Sequence, residues 1–438
     1  MPSGIFNKKV PAMLRGQLAK AAVGTFFLKI ALVGLNFILS VLLARVLKVD
    51  AYGTYSYIVA WLVILGVPSE LGLRTILSKE IPKLSSSSNW GLIHGLLRWS
   101  NQIALIVSIA IVVFCGLCVP VLIPDESVVG FWIGLTFLPL STLTALRQGS
   151  MRGFHSVALG QVSENFIQPL TFIASLSIVS HFLAGGISIV WVMILRGISV
   201  SISFLFGVVL LLKTIPRSVF SAPPDYALEK WVKNLFPFTV ISGCFVICSR
   251  ADAVMLGFMQ DSEAVGIYTV ASRGADFVIF ALGAVSMSIG PRIAEFHAKG
   301  DMQKVRSIAI KGSRAVLYVS IPIAISLLLF GNYFLLLFGE EFVKGSTALK
   351  ILCLGQVANV SAGSAGVLLD MTGHQKQSAF GIGISAVINV ILNALMIPQF
   401  GVEGAAVSTA ASLAIRNAYF VIVVRRKLGI FCTPLVKL

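Results

Sequence analysis

Residues 249–292 read SRADAVMLGFMQDSEAVGIYTVASRGADFVIFALGAVSMSIGPR, two long apolar segments joined by a short acidic turn at 260–263. Arg250 lies as far before the centre of that turn as Arg273 lies after it, so a helical hairpin brings both guanidinium groups to one level. At about 1.5 Å per residue the level is roughly 17 Å from the tip, near the middle of a hydrocarbon layer about 30 Å thick. Asp252 and Asp276 accompany the two arginines. An ionised group at that depth costs at least about 2.5–3.5 kcal/mol unless it is paired or hydrated. The stretch therefore folds around internal ion pairs, around a wet path, or around both.

The chain as a whole demands a bilayer. Hydrophobic residues make up 57% of it and charged residues 12%, with a mean hydropathy of +0.92; soluble domains carry about 25% charged residues. A span needs about 20 apolar residues. The runs at 21–46, 53–77, 99–123, 127–148, 156–182, 187–212, 234–259, 264–291, 315–337, 346–370, 377–397 and 402–424 meet that need. The expected fold is an all-α polytopic membrane protein of about twelve transmembrane helices.

Net charge of +16 raises nucleic acid as a partner, but its distribution follows membrane topology instead. Of the 34 Lys and Arg, 25 fall in one alternating set of connections that includes both termini, and the other set holds only Arg45, Lys48 and Lys344. The positive-inside rule then places both termini in the cytoplasm. Residues 1–20 read as a retained basic N-terminus rather than a cleaved signal peptide. Residues 79–89, with four consecutive serines, read as a flexible connection. The basic stretch 292–314 reads as an amphipathic surface helix.

Polar residues inside the spans fall on helical stripes. In the first span Thr25, Lys29, Asn36 and Ser40 share a face, and Lys29 is either a structural partner of a neighbouring helix or a cavity cation. Glu70 and Arg74 end the second span one turn apart and can pair, as a solvated rim pair or as a cytoplasmic gate. The fifth span carries Gln161, Glu164, Gln168, Thr171 and Ser175, with Glu164 deep enough to be an interhelical carboxyl or an ion-coupling group. Arg196 lies near the middle of the sixth, and Arg273 can reach Asp276 three residues on. Arg250, Arg273, Arg196 and Lys29 are thus the candidate cavity cations, and Glu164, Asp252 and Asp276 the candidate pairing or ion-coupling acids.

The break at 213–233, with Pro216, Pro223 and Pro224, divides the chain into an N-lobe (21–212) and a C-lobe (234–424), leaving 425–438 as a cytoplasmic C-terminus. The halves echo each other: AYGTYSYIVA from Ala51 recurs as AVGIYTVASR from Ala264, an offset of 213. Two six-span lobes in one orientation follow, with the binding site between them. The six cysteines fall mostly in apolar runs and read as packing, with no metal ligands and no cofactor. No Walker loop, HExxH or GxSxG is present, which excludes a self-contained ATP-driven pump and argues against an enzyme.

Five pieces carry a resemblance: SRADAVMLGFM, EAVGIYTVASR, GPRIAEFHAKGDMQKV, LFGEEFVKGSTALKIL and MIPQFGVEGAAVSTA, in that order over roughly 245–415. They resemble the polysaccharide-export branch of the multidrug, oligosaccharidyl-lipid and polysaccharide exporter superfamily. The resemblance implies a Wzx-type flippase of the bacterial inner membrane, moving an undecaprenyl-pyrophosphate-linked oligosaccharide for O-antigen or another surface polysaccharide. It also implies a head-group role for Arg273, in its YxxAxR context, and a contribution from Lys29. Membrane lipid, a polysaccharide polymerase and a chain-length regulator are the partners it implies; nucleic acid is not one. The main rival is a multidrug or organic-cation antiporter of the same superfamily, which would favour a carboxylate where Lys29 stands. A second is a scaffold of a polysaccharide-synthesis complex, which would have no use for the aligned polar stripes.

Overall fold

The computed structural model describes the backbone of residues 12–122, 125–182 and 187–430, and the side chains of 32–117, 128–182 and 187–430. Among the described residues every regular element is helical. The first part of the chain forms α1 (Ala12–Glu70), α2 (Leu73–Ser86), α3 (Trp90–Leu122), α4 (Asp125–Thr136) and α5 (Leu138–Gly153). Next come α6 (Val157–Val162), a π-helical turn (Ser163–Ile167), α7 (Gln168–Phe182), α8 (Ile189–Thr214) and the short α9 (Arg217–Ser221). The second part forms α10 (Leu228–Met259), α11 (Ser262–Ala298), α12 (Met302–Leu336), a 3₁₀ turn (Glu340–Gly345), α13 (Ser346–Ser361), α14 (Ala365–Met371) and α15 (Gln375–Leu428). Among the described residues eight helices are long and apolar enough to cross a membrane, or ten if each of two bent pairs is one span.

Local chemistry sets the breaks. Within α1 the backbone turns at Lys48 (φ 60°), and within α15 at Gly401 (φ 53°, ψ −124°), a conformation that costs a glycine little. These breaks lie where the apolar runs end. The α10–α11 hairpin turns at Gln260, and the Asp261 carboxylate caps α11 by accepting from the Ala264 N–H at 2.8 Å.

Three expectations need correction. The second span does not run to residue 77: α1 stops at Glu70, Leu71 (φ 48°) and Gly72 (φ 67°) turn the chain, and α2 begins at Leu73. Residues 79–86 are not a flexible connection but part of α2, which buries Leu73, Ile76, Leu77, Glu80, Ile81 and Leu84 along one stripe. Glu80 is held there by Lys83 (2.7 Å) and Lys230 (2.6 Å), and their hydrogen bonds outweigh the upward push of burial and keep its carboxyl below the usual range. Residues 292–314 are not a separate surface helix. They are the end of α11 and the start of α12, joined at Gly300 (φ 72°) and capped by Asp301, which accepts from the Lys304 N–H.

The two ends of the bundle differ. At the end holding Lys48, Gln260 and the 3₁₀ turn, here the turn end, helices from both halves pack into the largest core, including Leu43, Tyr52, Ile58, Val265, Phe338 and Phe342. Phe37 stacks on Phe334 and meets Phe277 and Phe338 edge-on, at 5.5–5.8 Å. Arg45 donates to the carbonyls of Leu337 (2.8 Å) and Leu336 (3.1 Å) at the close of α12. At the opposite, linker end a separate core gathers α2, α3 and the start of α10 around Trp231.

Candidate functional site

Among the described residues the turn end is filled by the largest core, and three cavities extend from the middle of the bundle. The first, about 710 Å³, is lined at the linker end by Glu70, Arg74 and Arg152 and reaches inward to Gln168 and Arg196. A deep pocket of about 220 Å³ shares Gln168 and Arg196 with it and adds Arg250, Arg273, Glu164 and Thr269. The third, about 950 Å³, shares Asn36, Ser40 and Arg273 with the deep pocket and runs between α1, α6 and α11 past Asp276, Phe280 and Met287. The three share walls and together line one candidate path.

Three arginines from three helices converge in the deep pocket. Arg196, on α8, donates to the Tyr55 hydroxyl at 2.6 Å, with its guanidinium 5.7 Å over the same ring. Arg250, on α10, lines the same pocket, and its Nε is buried with no hydrogen-bond partner among the described residues. Arg273 on α11 faces the open space of two cavities. Among the described residues none of the three forms an ion pair within 4 Å, so no carboxylate contacts these cationic donors directly. Asp276 lies beside Arg273 on the wall of the third cavity.

The other candidate acids are engaged elsewhere. Glu164, in the π-helical turn, is ion-paired with Arg147 of α5, whose Nη1 also donates to Ser163 Oγ at 2.8 Å. Arg147 is almost fully buried, and a Cβ on Gly207 of α8 would stand 1.3 Å from its Nη1, so that glycine makes its berth. Asp252 does not pair with Arg250, because residues two apart point to different sides of a helix. It is 5% exposed and accepts from the Tyr268 hydroxyl (2.5 Å), Thr409 (2.6 Å), Asn393 (2.6 Å) and Asn389 (3.0 Å). Neutral donors from α11 and α15 thus surround a buried carboxylate with no cation in contact among the described residues. The Asn393 Oδ1 beside it has no hydrogen-bond partner.

Glu70 and Arg74 are likewise not joined. The turn at Leu71 and Gly72 removes the one-turn spacing, and Arg74 donates instead to Gln148 Oε1 of α5. Lys29 belongs to α1, but its side chain lies outside the described residues. The sequence reading missed Arg147 as the partner of Glu164 and Tyr268 and Thr409 as partners of Asp252. An arginine inside an apolar run one span before a buried glutamate was the available signal for the first; the second pair carried none, since Tyr and Thr are ordinary in spans. Among the described residues no group of three or more His, Cys, Asp or Glu could hold a metal ion.

A family model described as polysaccharide biosynthesis protein matches residues 18–297, and the MatE model matches 237–395. The chain is 24% identical over 410 residues to the probable low-salt glycan biosynthesis flippase Agl15 of Haloferax volcanii, covering 92% of this chain and 82% of that one. Its fold is similar to an inward-facing multidrug resistance MATE family transporter, with a TM-score of 0.75 at 13% identity over 90% of this chain and 94% of that one. It is also similar to the lipid II flippase MurJ in an inward closed conformation, with a TM-score of 0.68 at 17% identity over 92% and 87% of the two chains.

Proposed function

The chain belongs to the polysaccharide biosynthesis protein family, a transporter family of the MATE-like superfamily and not an enzyme family, and on that premise we propose a flippase for a polyprenyl-diphosphate-linked oligosaccharide. In a bacterium the carrier would be undecaprenyl pyrophosphate, the location the inner membrane and the product O-antigen or another surface polysaccharide. The observation that carries this reading is the convergence of Arg196, Arg250 and Arg273, without ion-pair partners within 4 Å among the described residues, in one pocket. A diphosphate supplies the missing negative charge through charge-assisted hydrogen bonds. Asn36, Gln168 and Thr269 add polar groups for a glycan, and the polyprenyl tail stays in lipid.

On this reading twelve spans form two six-span lobes, 21–212 and 234–424, about the 213–233 linker, with both termini cytoplasmic. Breaking α1 at Lys48 and α15 at Gly401 and counting both bent pairs supports that number. The linker end is then cytoplasmic and the path opens to it, so the lobes rock about the sealed turn end to expose the site outside. Moving two negative charges out of a negative interior releases about 2.3 kcal/mol per charge per 100 mV, roughly 4.6 kcal/mol in all. Asp252, in its shell of neutral donors, is the site for a coupling proton or small cation, because two amides can turn their oxygens inward.

A second reading, organic-cation antiport, is favoured by the likeness to MATE transporters and by the buried Asp252. Three unpaired arginines repel such a cargo. The deciding experiment compares a deletion strain with one carrying the restored chain. The flippase reading expects loss of surface polymer and accumulation of single lipid-linked repeat units on the cytoplasmic leaflet. Unchanged polymer together with new sensitivity to cationic dyes would sink it in favour of the antiporter.

A further inference from the structure

Two helices more than fifty residues apart in sequence, α2 and α5, meet at the mouth of the path. On α5, a Cβ at Gly149 would lie 2.5 Å from the Arg74 carbonyl oxygen, and one at Gly153 would lie 2.9 Å from that of Leu77. Glycines one turn apart thus let α5 rest directly on the α2 backbone. That contact delivers Arg74 and Arg152 to one wall of the linker-end cavity, where the charge of one acts on the other.

Among the described residues no carboxylate on that wall makes an ion pair with them. Arg74 gives one N–H to the neutral Gln148, and its Nε is buried without a partner. Arg152 is exposed, and neither arginine has an ion pair within 4 Å among the described residues. Glu70 lines the same cavity, but among the described residues no ion pair within 4 Å joins it to either arginine. Thr75 and Ser141 contribute hydroxyls to the wall. Two like charges on one wall outnumber its single carboxylate, Glu70, and that surplus is costly for the empty site and favourable for an anion that spans the arginines. The same cavity continues to Arg196, so an anion leaving this wall next meets the deep pocket.

We propose that Arg74 and Arg152 form a first docking station for a phosphate ester at the mouth of the path, where the diphosphate of the substrate is held before it passes to Arg196, Arg250 and Arg273. This rests on the flippase reading. The station explains how a head group is drawn off the membrane surface into a cavity whose deep cations lie behind it.

The test uses the full-length protein in phosphatidylcholine nanodiscs, with farnesyl diphosphate as the probe in calorimetric titration. Wild type is expected to show two binding components. Arg74→Gln with Arg152→Gln should weaken one of them by about tenfold or more and spare the other. Arg250→Gln with Arg273→Gln should do the reverse. Arg152→Gln alone, at an exposed side chain, should weaken the same component without a folding risk, and Arg74→Lys with Arg152→Lys should restore part of it. Wild-type binding in the Arg74/Arg152 variant, with loss only in the deep variant, overturns the docking station and leaves the flippase reading standing. No binding by wild type overturns both. Discs containing phosphatidylglycerol separate the two sources of phosphate: a mouth component that survives supports the diphosphate, and one that vanishes assigns the wall to bulk lipid and overturns its role in loading.

Discussion

Gly53 and Gly266, separated by the 213-residue offset of the internal repeat, face each other at the turn end. A Cβ on Gly53 would stand 1.7 Å from the Ser262 carbonyl oxygen, and one on Gly266 would stand 2.6 Å from that of Val49 and 3.3 Å from the Gly53 nitrogen. Thr54 and Ser262 hydrogen-bond beside them at 3.1 Å. The repeat therefore places its two glycines where the backbones of α1 and α11 approach closely.

Gly53→Val cannot be relieved by a rotamer change, because the obstacle is backbone. The turn end should stay open, and a single cysteine at Asn36 in a cysteine-free background should react several-fold faster with an impermeant maleimide from that side. Unchanged reactivity would mean that the seal does not depend on the glycine pair.

Arg250→Gln and Arg273→Gln each remove a charged donor from the deep pocket. Surface glycan should fall by about tenfold or more, the loss expected of one charge-assisted contact, while the amount of protein in the membrane stays constant. Quantified gels beside membrane immunoblots check this, and normal glycan from either variant contradicts the assignment.

Asp252→Ala strips the acceptor from four donors and should cost about 3 kcal/mol or more in unfolding, since each buried donor left unmatched costs roughly 1–3 kcal/mol. Asp252→Asn keeps the shape. It should abolish any stabilisation of wild type by sodium over choline, read as thermal midpoints in detergent; a sodium shift that persists in the variant removes Asp252 from the coupling role.

Arg147→Ala leaves Glu164 charged and buried, which should destabilise by about 3–5 kcal/mol. Replacing the pair together, Arg147→Met with Glu164→Leu, should recover most of that loss. A double-mutant cycle of unfolding measures the coupling, and additive costs would show that the pair contributes nothing.

Glu80 sets a pH dependence. Its folded carboxyl is held below the ordinary value by Lys83 and Lys230, so its contribution is present above the unfolded value of about 4.3 and is lost as pH falls through the lower folded value. Because both lysines are largely in solvent, the gain is about 1 kcal/mol at most. Thermal midpoints of wild type and Glu80→Gln should differ at neutral pH and converge below about pH 4; a gap that persists in acid would rule out the ion pairs as its source.

Hydrophobic runs of about 20 residues dictated a polytopic helical membrane protein, because backbone polar groups in lipid are satisfied within each helix and need no distant partner. The hairpin about 260–263 was legible for the same reason, and mirrored spacing brought Arg250 and Arg273 to one pocket. The repeat of Ala51 and Ala264 was visible as letters, although the meeting of Gly53 with Gly266 was not. Tertiary structure alone decided the rest. Glu164 found Arg147, Asp252 found four neutral donors, and Glu80 found Lys230, 150 residues away. Leu71 and Gly72 separated Glu70 from Arg74 and turned Arg74 toward α5. A buried charge takes whichever partner three-dimensional packing brings within hydrogen-bonding distance. That choice depends on where the backbone bends and which helices its glycines let touch, which spacing along one helix does not encode.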